Sequence, residues 1–172
     1  MNRRGLSGIV TVVIMIALVL GAAAIVWVMV SNMVSDRLES SSSCSGIFDK
    51  VTLNSRYTCY DDSTEELFFS LTQEDIDVDK IIVSVLGDGT TKSFEFPVQD
   101  ANLRLYPSGV YGSGILAPPG NNSGRTYILN WTGANFSSGW PDEIQIRPVV
   151  GGQQCEVSDR IDDIGSCILL LS

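Results

Sequence analysis

Apolar and polar residues are distributed so unevenly that the chain divides at about residue 40. From Leu6 to Ser35 there is no charged residue, and the most apolar part runs from Ile9 to Val30. A helix needs about 20 apolar residues to cross the hydrocarbon core of a bilayer. An ordinary secretory signal has a shorter apolar stretch, of roughly 7–15 residues. The pattern therefore predicts a membrane-spanning helix.

The same helix is expected to extend past the membrane. Met33, Val34 and Leu38 continue an apolar stripe at helical spacing. The serine run 40–43 is expected to end it. A helix over residues 6–39 would be about 50 Å long at about 1.5 Å per residue. That length exceeds the hydrocarbon core, so we expect the excess to form a stalk.

Beyond residue 40 the periodicity changes to two, which is typical of β-strands. The alternation is clearest in residues 80–86 and 92–96, and Gly87-Asp88-Gly89-Thr90 between them predicts a hairpin turn. Further strands are expected at residues 51–53, 65–71, 125–131, 143–147, 153–157 and 167–171, and residues 107–124 are expected to form a long exposed loop. The predicted fold class is α+β, with a long N-terminal hydrophobic helix followed by an antiparallel, immunoglobulin-like β-sandwich.

The charged residues predict how the chain is oriented in the membrane and which class of partner is excluded. Arg3 and Arg4 flank the apolar run on its N-terminal side, which places the N-terminus in the cytoplasm and the later residues outside. The chain has 20 acidic and 11 basic residues, and its net charge is −9. Without Arg3 and Arg4, nine basic residues stand against 20 acidic ones, which leaves −11. Such a surface repels nucleic acid, so no nucleic-acid partner is expected.

Enzymatic and metal chemistry find little support in the sequence. The chain contains no His, the commonest general base and metal ligand. Asp75-Ile76-Asp77-Val78-Asp79 begins like a calcium loop, but Lys80 and Leu86 occupy the positions that need Gly and Glu. We therefore expect no catalytic residue, metal or cofactor, and these aspartates predict a solvated strand edge.

The four cysteines, Cys44, Cys59, Cys155 and Cys167, all lie beyond the apolar run. An even number outside the membrane favours two disulfides, for which three pairings exist. The local solution, Cys44–Cys59 with Cys155–Cys167, is preferred. A zinc site built from all four thiolates is the alternative, although its usual C-x2-C spacing is missing.

The order Arg3-Arg4-Gly5-Leu6-Ser7, followed directly by the apolar helix, resembles the class III signal peptide of archaeal type IV pilins and archaellins. The resemblance implies that a prepilin peptidase cuts between Gly5 and Leu6. Together with the apolar and period-two patterns, this cleavage divides the chain into a signal peptide of residues 1–5, a helix and stalk of residues 6–40, and an extracellular domain of residues 41–172. Bacterial pilins usually carry Glu at the fifth mature position, where this chain has Val10. That difference favours the archaeal branch.

The resemblance further implies a structural protein, the subunit of a surface filament. We expect the filament to serve in adhesion, with motility as the alternative that the sequence leaves open. Its expected partners are other copies of itself through the helix, the prepilin peptidase and pilus assembly machinery, and the membrane before assembly. The precursor would reside in the cell membrane and the mature subunit in an extracellular filament. Two alternatives stay open: a single-pass, signal-anchored protein with an extracellular binding domain, and a pilin-like adaptor or minor tip subunit that does not polymerise.

Three glycosylation sequons occur close together, at Asn121, Asn130 and Asn135. Glycans attached there would lie on an outward-facing domain. Because archaeal pilins and archaellins are often N-glycosylated, the resemblance implies such modification in this chain too.

Overall fold

The computed structural model describes residues 4–44, 46–137 and 139–167. The chain forms two compact units that divide between Ser42 and Ser43. The first contains one helix, α1 (Arg4–Cys44), of 41 residues, whose last two residues belong to the second unit. The helix continues through the serine run, so the expected end near residue 40 is wrong. Serine costs a helix only a few tenths of a kcal/mol, roughly, and neither Gly nor Pro interrupts the run.

The second unit contains two antiparallel sheets, which confirms the α+β arrangement. The strands are β1 (Val51–Leu53), β2 (Cys59–Asp61), β3 (Glu66–Gln73), β4 (Lys80–Gly87), β5 (Thr90–Phe96), β6 (Leu103–Leu105), β7 (Ser123–Asn130), β8 (Glu143–Val150), β9 (Gln153–Gln154) and β10 (Asp159–Ile161). A 3-10 turn, Ser55–Tyr57, lies between β1 and β2.

In the first sheet the strand order is β1-β3-β7-β6, and β2 also pairs with β3. In the second sheet the order is β10-β8-β4-β5, and β9 also pairs with β8.

The tight turn that the sequence predicts between β4 and β5 is present. Gly87 pairs with Thr90, and the intervening Asp88 and Gly89 have φ of 51° and 69°. These positive φ values are those of the two-residue turns whose twist matches a hairpin, where Asp-Gly is favoured. Gly151 and Gly152 connect β8 to β9 in the same way, with φ of 58° and 75°.

Both sheets contribute to one hydrophobic core. Alternate residues of β3 and β4 are fully buried, as the period-two pattern requires. Phe96 of the second sheet lies 4.6 Å, between ring centroids, from Tyr127 of the first. The largest buried side chain is Trp131, directly after β7. The buried residues of β3 and β4 are Leu67, Phe69, Leu71, Ile81, Val83 and Val85.

The strands that sequence reasoning missed are the short ones. β2, β6 and β10 have three residues each, too few to display an alternation. The strand expected at residues 153–157 shrinks to Gln153–Gln154. The one expected at 167–171 lies, apart from Cys167, outside the described residues.

Candidate functional sites

The first candidate site is the surface of α1. Among the described residues, one helix, Val10–Ser35, is long and apolar enough to cross a membrane. Its large apolar side chains are exposed on every face, from 48% for Val30 to 73% for Trp27. A helix that is hydrophobic all round is stable only when lipid or other helices cover it. This surface therefore requires an apolar environment.

Small residues interrupt this surface at helical intervals. Ala17, Gly21 and Ala24 lie three or four residues apart, a spacing that lets two helices approach closely. A Cβ atom built on Gly21 would meet nothing within 4 Å. The fold of the single chain thus does not require a glycine at position 21. Any requirement for a small residue there must come from a neighbouring helix or from lipid.

The predicted cleavage position lies at the start of α1. The helix begins at Arg4, so the backbone of Gly5 and Leu6 belongs to its first turn. The side chains of these residues and all of Arg3 lie outside the described part of the structure. The first amide groups of a helix lack partners within it, so this turn is the least costly one to open for a peptidase.

All four cysteines form disulfides, but the local pairing expected from sequence is wrong. The bonds are Cys44–Cys155 and Cys59–Cys167, which join residues 111 and 108 positions apart. No thiol is left to bind zinc.

The register of the strands explains this pairing. β1 and β2 pair with opposite ends of β3, so Cys59 lies far from the start of β1, the strand that follows Cys44 in sequence. The hydroxyl of Ser158 donates to the carbonyl of Val51 at 2.7 Å, which brings the segment after Cys155 beside β1. The amide of Tyr60 donates to the carbonyl of Gly165 at 2.9 Å, which brings Cys167 beside β2.

Two of the sequons lie on one compact turn. Their middle residues, Trp131 and Phe136, stack in the core with ring centroids 3.9 Å apart. The side chain of Asn130 is half-buried and accepts a hydrogen bond from the Gly133 amide at 2.9 Å. Asn135 is exposed with φ of 57°, and no described residue hydrogen-bonds its side chain. In this turn, the side chain of Asn135 is therefore accessible to solvent, whereas a hydrogen bond restrains the side chain of Asn130.

The third sequon is restrained in a different way. The Asn121 Oδ1 atom accepts from Gln73 Nε2 at 3.0 Å, and its Nδ2 atom donates to Asp75 Oδ1 at 3.3 Å. Asp79, at the other end of the aspartate segment, accepts from the Gly152 amide at 2.9 Å. Within the described residues, no three acidic, His or Cys side chains converge on a possible metal position.

A polar cluster that sequence reasoning missed lies at the start of the predicted loop. Arg104 of β6 donates through Nη2 to both carboxylate oxygens of Glu66 of β3, at 3.1 and 3.2 Å. The Tyr111 hydroxyl donates to the same carboxylate, and the Arg104 guanidinium lies 5.1 Å from the Tyr111 ring centroid. Burial, together with the bond to Glu66, raises the pKa of Tyr111 to about 12. β6 could not be predicted, so nothing in the sequence indicated that these three residues meet.

Neither family models, nor curated proteins, nor solved structures match the chain. Its function must be inferred from the geometry described above.

Proposed function

We propose that this chain is a structural subunit of an archaeal type IV pilus-like filament. It would polymerise through α1 after a prepilin peptidase cuts between Gly5 and Leu6. The observation that carries the proposal is the uninterrupted helix, apolar on every face from Val10 to Val34, that leads into a disulfide-bonded β domain.

The charges explain why a cut at this place would permit assembly. Moving an Arg into a bilayer costs at least about 2.5 kcal/mol. Arg3 and Arg4 therefore hold the precursor across the membrane, and removal of residues 1–5 removes both charges. The remaining helix can leave lipid when other copies cover it, since exposure to water would cost about 25 cal/mol per Å² of apolar surface.

The outer unit suits the surface of such a filament. Disulfides persist in oxidising compartments, which supports an extracellular location for residues 43–167. We propose an immunoglobulin-like sandwich for this unit, because its two antiparallel sheets share one core. A coat of such domains around a helical core would serve in adhesion.

N-terminal sequencing of the native protein, combined with electron microscopy, tests the proposal. We expect a mature N-terminus at Leu6 and filaments made of this chain. Gly5→Phe should leave a full-length, membrane-bound form that does not assemble, while Ser7→Ala should be processed normally. Filaments built from uncut Gly5→Phe chains would contradict the proposal.

The length of α1 equally fits a second candidate function. A single-pass signal anchor with an extracellular binding domain needs the same span of about 20 apolar residues. Such a protein would retain Arg3 and Arg4 in its mature form. A mature N-terminus at Leu6 without filaments would instead indicate a pilin-like adaptor or tip subunit.

A further inference from the structure

Outside α1, the longest uncharged part of the chain is Leu105–Gly124, most of which is the segment between β6 and β7. The structure holds this segment, here called the neutral loop, firmly at its start. The amide of Gly109 donates to the Leu105 carbonyl at 2.8 Å. A Cβ on Gly109 would lie 2.5 Å from that oxygen, so the close approach requires glycine. The Glu66–Arg104–Tyr111 cluster then fixes the loop to the first sheet.

The far part of the neutral loop is fixed as well. Leu116 exchanges two backbone hydrogen bonds with Val98, at 2.9 and 2.7 Å. The carbonyl of Ala117 accepts from the Tyr127 hydroxyl at 2.6 Å and from Arg125 Nη1 at 3.0 Å. A loop tied down at both ends loses little conformational freedom when something binds to it.

This ordered loop exposes large apolar side chains. Val110 is 68% and Ile115 is 71% exposed, and Tyr106 is 50% exposed. Leu116, next to Ile115, packs instead against the core. Val110 and Ile115 are thus exposed on a backbone that is hydrogen-bonded at both ends of the loop, and the loop offers an uncharged, partly apolar surface on a chain of net negative charge.

We propose that the neutral loop is the contact between the β domains of neighbouring copies of this chain. The inference deepens the proposed filament function, because assembly through α1 is what brings the copies together. Each copy carries −11 beyond Arg3 and Arg4. Copies therefore repel one another wherever acidic surfaces meet, and contact through an uncharged loop avoids both the repulsion and the desolvation of charges.

A small contact area is sufficient for binding if the partner is a second copy of this chain. A free-standing interface buries about 1,200–2,000 Å². Copies already joined through their helices meet at a high effective concentration, so a much smaller contact contributes measurably. The neutral loop and the apolar part of α1, Leu6–Ser35, would then be two uncharged surfaces through which one acidic chain associates with itself.

Photo-crosslinking in the full-length chain tests this contact. A benzophenone amino acid replaces Val110 or Ile115, and in a control chain it replaces the exposed Asp163. After irradiation of cells, we expect covalent dimers of this chain from positions 110 and 115, at roughly tenfold the yield from position 163, because the acidic surface is held apart by repulsion. Equal yields, no dimers, or adducts with another protein, a glycan or a lipid would overturn the proposal.

Charge substitution supplies a second measurement. With the crosslinker at Tyr106, V110E/I115E should lower the dimer yield several-fold at low salt, and about 1 M salt, where the Debye length is about 3 Å, should restore part of it. V110T/I115T adds no charge and should retain more of the yield. An unchanged yield in V110E/I115E would contradict the contact. Micrographs of the unmodified chain test filament formation separately, because dimers can also form between unassembled copies in the membrane.

Discussion

Cys44, the last residue of α1, is disulfide-bonded to Cys155, which directly follows β9. The bond closes a loop of 111 residues that contains most of both sheets. The chain therefore reaches the second sheet by a covalent path that bypasses β1, a strand of three residues at the edge of the first sheet. The Cys59–Cys167 bond closes a nearly equal loop of 108 residues.

Removing either bond should destabilise the β domain. Closing a loop of about 100 residues is worth about 4.7 kcal/mol through the entropy of the unfolded chain. We expect C44A/C155A and C59A/C167A each to lose about 2–5 kcal/mol of unfolding free energy. Urea titration followed by tryptophan fluorescence measures the loss. An unchanged midpoint in either variant would show that its bond does not constrain the fold.

Gly87 should not tolerate a side chain. A Cβ at this position would lie 2.4 Å from the ring of Trp131, the largest buried side chain. We expect Gly87→Ala to cost about 1–3 kcal/mol, since the core must move to admit a methyl group. Gly165→Ala is the matched control, because its Cβ would meet nothing within 4 Å. Equal stability of both variants in thermal unfolding would contradict this packing.

Within α1, Gly21→Leu should impair assembly while leaving the single chain intact. A Cβ at Gly21 meets nothing within 4 Å in its own chain, whereas a leucine there blocks the close approach of another helix along Ala17, Gly21 and Ala24. Ala23→Leu adds similar bulk on another face of the helix and should have a smaller effect. Filament counts by electron microscopy, normalised to processed protein, measure the difference. Equal effects of the two variants would exclude a special role for this stripe.

Of the three sequons, Asn135 should carry the glycan. Its side chain is exposed and makes no hydrogen bond to the described residues, whereas Asn121 is held between Gln73 and Asp75. Intact-mass measurement and glycopeptide mapping of native protein should locate the modification at Asn135. Asn135→Gln should remove the added mass and Asn121→Gln should not. A native mass equal to that of the bare chain would rule glycosylation out.

The neutral loop should loosen in alkali. Burial and the bond to Glu66 raise the pKa of Tyr111 from 10.0 to about 12, so the unfolded chain loses this proton first. The contribution of Tyr111 to stability is therefore intact below about pH 10 and is lost as the pH rises towards about 12. Urea unfolding at pH 8 to 12 should show a smaller loss for Tyr111→Phe than for the native chain. Tyr60 and Tyr127, whose pKa values burial also raises, contribute equally to both proteins.

Local patterns were enough to predict much of this protein. The helix followed from an uncharged and almost wholly apolar run, long enough to cross a bilayer, and the β4–β5 hairpin followed from alternation on both sides of Asp88-Gly89. In each case, the residues that form the element are neighbours in sequence. The predicted end of α1 was wrong because it, too, was inferred from local preference alone. Its serines weaken a helix without stopping it, and their local preference is too small to decide the boundary.

The cysteine pairing, the Glu66–Arg104–Tyr111 cluster and the different settings of the three sequons were decided only by the tertiary structure. Each depends on register between strands far apart in sequence, such as β1 and β2 at opposite ends of β3. A shift of one residue in register would turn every side chain of a strand to the other face. The residues next to Cys44 or Arg104 in sequence do not determine which register forms. The sequence by itself determined that the chain has an apolar helix and a β domain closed by disulfides. Packing of the two sheets on one core decided which cysteines meet and which asparagines and apolar side chains remain on the surface.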